Sequence, residues 1–193
     1  MLTQQKAFKD LSFGKGRENI PNVAFRLMAF IMRMMDVFGN HSDRNFKTLG
    51  LKLGQTVVDY GCGPARYILN ASKTVGMQGR VYAVDIHPLA IEQVKRKIKK
   101  YNLRNIEPIL AKGYSCSVPQ QSVDVVYALD MFHMISNPTV LLTEFARMVK
   151  TDGLVIIEDG HQSRSETKSK IEASSLFVIA EENKYHVVCR LRQ

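Results

Sequence analysis

The sequence predicts an α/β fold: a mostly parallel sheet with helices on both faces, an antiparallel last strand and a helical N-terminal extension. Three features point there. The run Val57-Val58-Asp59-Tyr60-Gly61-Cys62-Gly63-Pro64-Ala65-Arg66 reads as a buried strand entering a glycine-rich turn and then a helix. A second strand, Val81-Tyr82-Ala83-Val84-Asp85-Ile86, is followed by His87-Pro88 opening another helix. Two alternating segments, Leu176 to Ala180 and Tyr185 to Leu191, then pair antiparallel around Glu182-Asn183-Lys184. A pure dinucleotide fold would close with one more parallel strand instead.

The elements follow in order. Residues 1–50 form a helical preface, interrupted near Gly14-Lys15-Gly16 and again at Gly39-Asn40, and residues 51–193 form the main domain. Within the preface Ala24, Leu27, Met28, Ile31, Met35 and Phe38 recur at helical spacing, a stripe expected to pack on the sheet. The run from Val23 to Phe38 is too short for a membrane span and is broken by Arg26, Arg33 and Asp36. Its methionines (Met28, Met32, Met34, Met35) suit irregular apolar ligands, so a helix capping the cleft would favour a small, partly hydrophobic ligand. A third strand is expected near Ile106 to Leu110 and a fourth at Val123 to Leu129. Asn137-Pro138 caps a helix to about Val149, and Asp152-Gly153 turns into a fifth strand, Leu154 to Ile157. Ser163-Arg164-Ser165-Glu166 has capping-box spacing and opens a helix to about Ala173.

The chemistry lies in the first turn. Gly61 and Gly63 let the backbone approach a ligand where a Cβ would collide, and Pro64 at the first helical position gives up an N–H that lacks a partner there. Such a turn marks a nucleotide-type site at the C-terminal edge of a parallel sheet. Arg66 stands where a dinucleotide fingerprint needs its third glycine, which argues against NAD. Asp59 would repel a pyrophosphate at this distance but suits a ligand carrying an ammonium and a sulfonium. Asp85, at the end of the second strand, has the place from which a carboxylate accepts bonds from both hydroxyls of a ribose, or complements the start of the next helix.

On these residues, together with Ser122 to Ile135 and Gly153 to Gly160, the chain resembles the class I S-adenosylmethionine-dependent methyltransferases over roughly residues 50–193. The resemblance implies a Rossmann-like seven-stranded sheet and S-adenosyl-L-methionine as the cofactor. Asp59, Gly61 and Gly63 would hold its methionine portion, with Cys62 between the glycines, and Asp85 its ribose. Ile86 would pack on the adenine, with Leu129 at the fourth strand's end completing the cofactor wall. Two departures stand out. Ala65 occupies a place that often carries a third glycine, a mild change. The acid that many members carry after the third strand is missing between Leu110 and Val118, leaving Ser115 or a backbone carbonyl for the adenine amino group and Tyr114 to stack on the base. Weaker cofactor binding would originate here.

Methyl transfer from a sulfonium needs alignment more than activation, and a base only if the acceptor must lose a proton. His133 is the first candidate, because an unperturbed imidazole titrates near neutrality and similar family members carry His soon after this strand. His161 and Asp130 follow, with Glu158 and Asp159 nearby. Ala128-Leu129-Asp130-Met131-Phe132 lacks the Asn/Asp-Pro-Pro-aromatic motif of enzymes that methylate base amines, so the pattern looks like the small-molecule branch.

Composition agrees. At 193 residues and 45% hydrophobic content the chain can bury a full core. Cys62, Cys116 and Cys189 are scattered without metal spacing, so no metal is expected and a cytoplasmic setting is. Met1 to Gln5 lacks the apolar core of a signal peptide. The net charge of +9 is concentrated in Lys95-Arg96-Lys97-Ile98-Lys99-Lys100, a solvated helix end complementing the dipole. That charge is the case for an RNA methyltransferase, against which stands the lack of interleaved aromatics beyond Tyr101. The missing third-strand acid is the case for a cofactor-binding protein without catalysis. The reading favoured here is methyl transfer to a small-molecule acceptor.

Overall fold

In a computed structural model, which describes residues 20–38 and 45–193, a seven-stranded sheet carries helices on both faces. The interruptions expected at Gly14–Gly16 and Gly39-Asn40 lie outside those residues. The elements are α1 (Asn22–Phe38), β1 (Thr56–Tyr60), α2 (Ile68–Val75), β2 (Arg80–Asp85), α3 (Pro88–Tyr101) and β3 (Ile106–Leu110). They continue as β4 (Val123–Ala128), α4 (Pro138–Met148), β5 (Val149–Glu158), α5 (Arg164–Ala173), β6 (Phe177–Glu182) and β7 (His186–Leu191). The strand order is β3-β2-β1-β4-β5-β7-β6. β1 to β5 run parallel to one another, and β7 inserts antiparallel between β5 and β6. No helix among the described residues is long and apolar enough to cross a membrane.

β1 has a strand on each side and helices above and below, which is why Val57 and Val58 are both fully buried. Alternation sends Val58 and Tyr60 to one face, with Phe132, Leu141 and Phe145. Val57 goes to the other, with Ile68, Ala71, Val94 and Tyr127. Tyr60 meets Phe145 edge-on at 5.0 Å between ring centroids. At the far end of the sheet, Asp124 accepts from the Thr56 backbone at 2.7 Å and from Lys150 at 2.6 Å, tying the starts of β1, β4 and β5 together.

Local signals account for most helix ends. The Asn137 side chain accepts from Val140 N, and the Ser163 hydroxyl from Glu166 N. The His87 ring caps α3 by accepting from Leu89 N, ahead of Pro88. Two ends differ from expectation. The helix after the glycine turn begins at Ile68, not at Pro64, because Ala65 takes a left-handed φ of +61° that no helix accommodates. β5 begins at Val149, five residues early: Val149 pairs with Val123, then the register shifts so that Leu154 meets Val125. Gly153 sits in this irregularity, where a Cβ would fall 2.6 Å from the Val149 side chain.

α1 is oriented differently from the expected stripe. Leu27, Ile31 and Met35 face outward, 60%, 48% and 60% exposed, and Ala24 is also exposed. Phe25 is the buried anchor, stacked on His87 at 4.3 Å, and Met28 and Met32 share its side of the helix. Apart from the side carrying Arg26 and Arg33 the helix is apolar, so spacing allowed more than one buried face, and the Phe25–His87 stack selects between them.

Phe145 is fully buried against Tyr60, and Phe145→Ala leaves a cavity beneath the strand that leads into the glycine turn. A loss of about 3–5 kcal/mol is expected in urea unfolding, with an unchanged dependence on denaturant.

Candidate active site

A cleft of about 320 Å³ opens over the C-terminal ends of β1, β2 and β4. Of the residues expected to hold the cofactor, it brings together Asp59, Gly61, Cys62, Gly63, Asp85, Ile86, Tyr114 and Leu129. Ser115 is not among its lining residues; its backbone pairs instead with Lys112 in an isolated bridge. Asp130 lines the cleft, whereas His133 and His161 lie outside its wall.

The glycine turn is shaped by what surrounds it. Gly61 has φ +77°, and a Cβ there would sit 2.9 Å from Met131 Cγ. Gly61 N and Cys62 N both donate to Val84 O at the end of β2, and Gly63 N donates to Asp85 Oδ2 at 2.8 Å. The other Asp85 oxygen accepts from His87 N at 2.8 Å. Asp85 thus joins the first turn to the start of α3, and it also lines the cleft, where its carboxylate can meet a ligand. Both roles expected of it are compatible with this position.

Asp59 is fully buried on the β1 end, and its Oδ2 has no hydrogen-bond partner. Burial and then the nearby Asp85 push its carboxyl up to about 8, against smaller pulls from Tyr127 and Lys97. The Tyr127 hydroxyl beside it likewise lacks a partner at bonding geometry. Burial also raises Asp85. Two buried carboxyl groups this close resist ionising together, and a cation between them and the cleft would relieve both. The Cys62 thiol is likewise pushed well up by burial, which fits a packing residue and not a nucleophile.

Several contributors carried no sequence signal as site residues. Lys97, read as one of a solvated run, reaches back to donate to Ala65 O at 2.6 Å and secures the left-handed turn. His87 stacks on Phe25 and contacts Ile20 O at 3.1 Å, connecting α1 to the cleft. Tyr60 donates to Tyr114 O at 2.7 Å, while the Tyr114 hydroxyl accepts from Asn137 N at 3.0 Å. The segment after β3 is held in place from both sides.

Beyond the cleft wall the expected catalytic residues form one cluster. His133 is 8% exposed with an unpartnered Nδ1, and burial lowers its pKa. Its ring meets His161 edge-on at 5.0 Å, and His161 Nε2 lies 3.9 Å from Asp130 Oδ1. Glu158, bonded to Asn45 at 2.7 Å, is pushed up to about 6 by burial and then by Asp130.

Residues 57–153 match the family model described as a methyltransferase domain. The aklanonic acid methyltransferase DauC of Streptomyces sp. (strain C5) is 34% identical over 73 residues, covering 38% of this chain and 33% of its own. A demethylmenaquinone methyltransferase of Staphylococcus saprophyticus is 30% identical over 115 residues, covering 58% and 48%. The chain therefore spans about half the length, or less, of these curated relatives. A crystal structure of a SAM-dependent methyltransferase from Aquifex aeolicus shares 25% identity and a TM-score of 0.69, over 79% of this chain and 90% of that one. The residues fit that cofactor: the orphaned Asp59 oxygen suits a cation, and Gly61 and Gly63 put backbone rather than side chain on the cleft wall. The chain belongs to the methyltransferase-domain family, as a class I domain whose cofactor is S-adenosylmethionine.

Proposed function

We propose that the domain transfers a methyl group to a small, partly hydrophobic acceptor by direct in-line displacement. One observation carries this reading: besides the glycine turn, the cleft is walled by Phe25, Met28, Met32, Met131, Met134 and Ile135. Such a wall, rich in methionine, adapts to an irregular apolar molecule. The two curated relatives, named for demethylmenaquinone and aklanonic acid, support a small acceptor.

When bound, S-adenosylmethionine supplies a methyl group that is already activated, so the protein's task is to bind, orient and exclude water. Asp59 offers a buried carboxylate to the ammonium end, and Asp85 offers its cleft-lining carboxylate to the ribose. Ile86 and Tyr114 form the wall for the base. We read α1 as a cap, held by the Phe25–His87 stack, that closes the acceptor half of the cleft. Asp130 is the polar group of the expected catalytic three that meets the acceptor. His133 and His161 are positioning residues behind it.

Three outcomes are expected. Asp85→Ala removes two charge-assisted bonds to the ribose, worth roughly 3 kcal/mol together, so calorimetric affinity for S-adenosylmethionine falls about 100-fold. NAD gives no saturable heat with either protein. For Asp59 the sign is set by its raised pKa: the free protein still carries this proton at neutral pH, and a bound cation favours losing it. Binding therefore releases a fraction of a proton at about pH 7, read as a dependence of the heat on buffer ionisation enthalpy, and Asp59→Asn abolishes the release. Finally, Met28→Ala with Met32→Ala raises KM severalfold on a panel of small lipophilic phenols and quinols, while cofactor affinity holds. Unchanged KM across that panel would remove α1 from the acceptor site.

A further inference from the structure

We propose that Asp130, His133 and His161 together bind one first-row divalent transition cation at the acceptor end of the cleft. Their ligand atoms all lie within 4.8 Å of one another, the one such group among the described residues. The three residues come from separate places: the turn after β4, the 3-10 turn Phe132–Met134, and the loop after β5. Nothing in their spacing along the chain announces a metal site, because the strand order brings the ends of β4 and β5 side by side.

A second observation makes this more than a cluster. His133 is a buried imidazole with an unpartnered Nδ1, and buried polar atoms are ordinarily matched. The Nδ1 side of its ring packs against Gly160, the residue before His161, where a Cβ would run into it and φ is +62°. His161 Nε2 and Asp130 Oδ1, at 3.9 Å, are too far apart for a hydrogen bond but close enough to share a ligand.

Ligand atoms around one tetrahedral zinc are about 3.3 Å apart, given bonds near 2.0 Å. Cation binding therefore contracts the cluster by an ångström or so about His133, its buried member, with the His161 and Asp130 side chains, 55% and 36% exposed, closing toward it. Two imidazoles and one carboxylate select zinc, cobalt, nickel or ferrous iron over magnesium and calcium. The nearby Lys170 ammonium is paired with Glu166 at 3.2 Å and bonded to Gln162, which moderates its opposition to a cation. Three protein ligands leave at least one coordination position open. Asp130 lines the cleft, so that position faces the acceptor. It suits an acceptor oxygen or nitrogen, a choice that rests on the methyl-transfer reading above, whereas cation binding itself does not.

The test uses the full chain without a histidine tag, titrated with cobalt(II) and followed by visible d–d absorption. One equivalent should bind, zinc should displace it, and millimolar magnesium should not. His161→Ala, at a half-exposed position that need not disturb folding, should weaken cobalt binding by more than roughly 100-fold, because even a ligand's outer partner is worth 10–100-fold. The same variant should retain its affinity for S-adenosylmethionine. Absence of saturable cobalt or zinc uptake, equal uptake by His161→Ala, or a sulfur charge-transfer band showing cysteine ligation would each overturn the site. Cofactor binding without cobalt uptake would remove the cation site alone, and cobalt uptake without cofactor binding would sustain it and remove the cofactor reading.

Discussion

The Asp85 carboxylate is the joint on which the cleft depends. One oxygen holds Gly63 N and the other holds His87 N. The first bond fixes the glycine turn against β2, so that backbone rather than side chain faces a ligand. The second fixes the start of α3 and with it the His87 ring, on which Phe25 stacks. α1 therefore inherits its place over the cleft from the same acid that we propose meets the ribose. Burial makes such an arrangement costly for an ionised group, and backbone N–H donors on both oxygens offset part of that cost.

Charge explains the rest of the cleft's design. Asp59 and Asp85 are buried side by side in a chain with a net charge of +9, yet little of that positive charge reaches them. Lys97 comes nearest, and its ammonium is committed to Ala65 O. The site thus keeps an unmet demand for a cation at the methionine end. A second demand, in the Asp130–His133–His161 cluster, lies at the acceptor end. A positively charged protein that commits its nearest ammonium groups, Lys97 and Lys170, to other partners leaves both places open to positive charge arriving with ligands.

What was legible in the sequence was whatever depended on local pattern. β2 and β3, the caps at Asn137 and Ser163, and the antiparallel hairpin all follow from propensity, alternation or side-chain hydrogen bonding. The glycine turn and Asp85 were legible because their chemistry requires those residue types in that order. What escaped was decided at a distance. The delayed start of α2 depends on Ala65 adopting a left-handed backbone supported by a lysine 32 residues away. The early start of β5 depends on Val123 pairing with Val149 across an irregular register. The exposed stripe of α1 could not be told from its buried one without His87, and Ser115 turned away because its backbone pairs with Lys112. His133, His161 and Asp130 were singled out one by one for their chemistry, but only the sheet order makes them neighbours.

The position of β7 has a consequence for how the chain acquires this structure. β7 follows every other strand in sequence, yet it is interior, pairing with β5 on one side and β6 on the other. Until it inserts, β5 presents an open edge of apolar residues to its surroundings, and β6 has nothing to pair with. During synthesis the first five strands can assemble around the glycine turn in order, but the far half of the sheet must wait for β7 to emerge. Time spent in that state is time with a templating edge exposed to other nascent chains. The hazard falls on the side of the sheet farthest from the cofactor cleft.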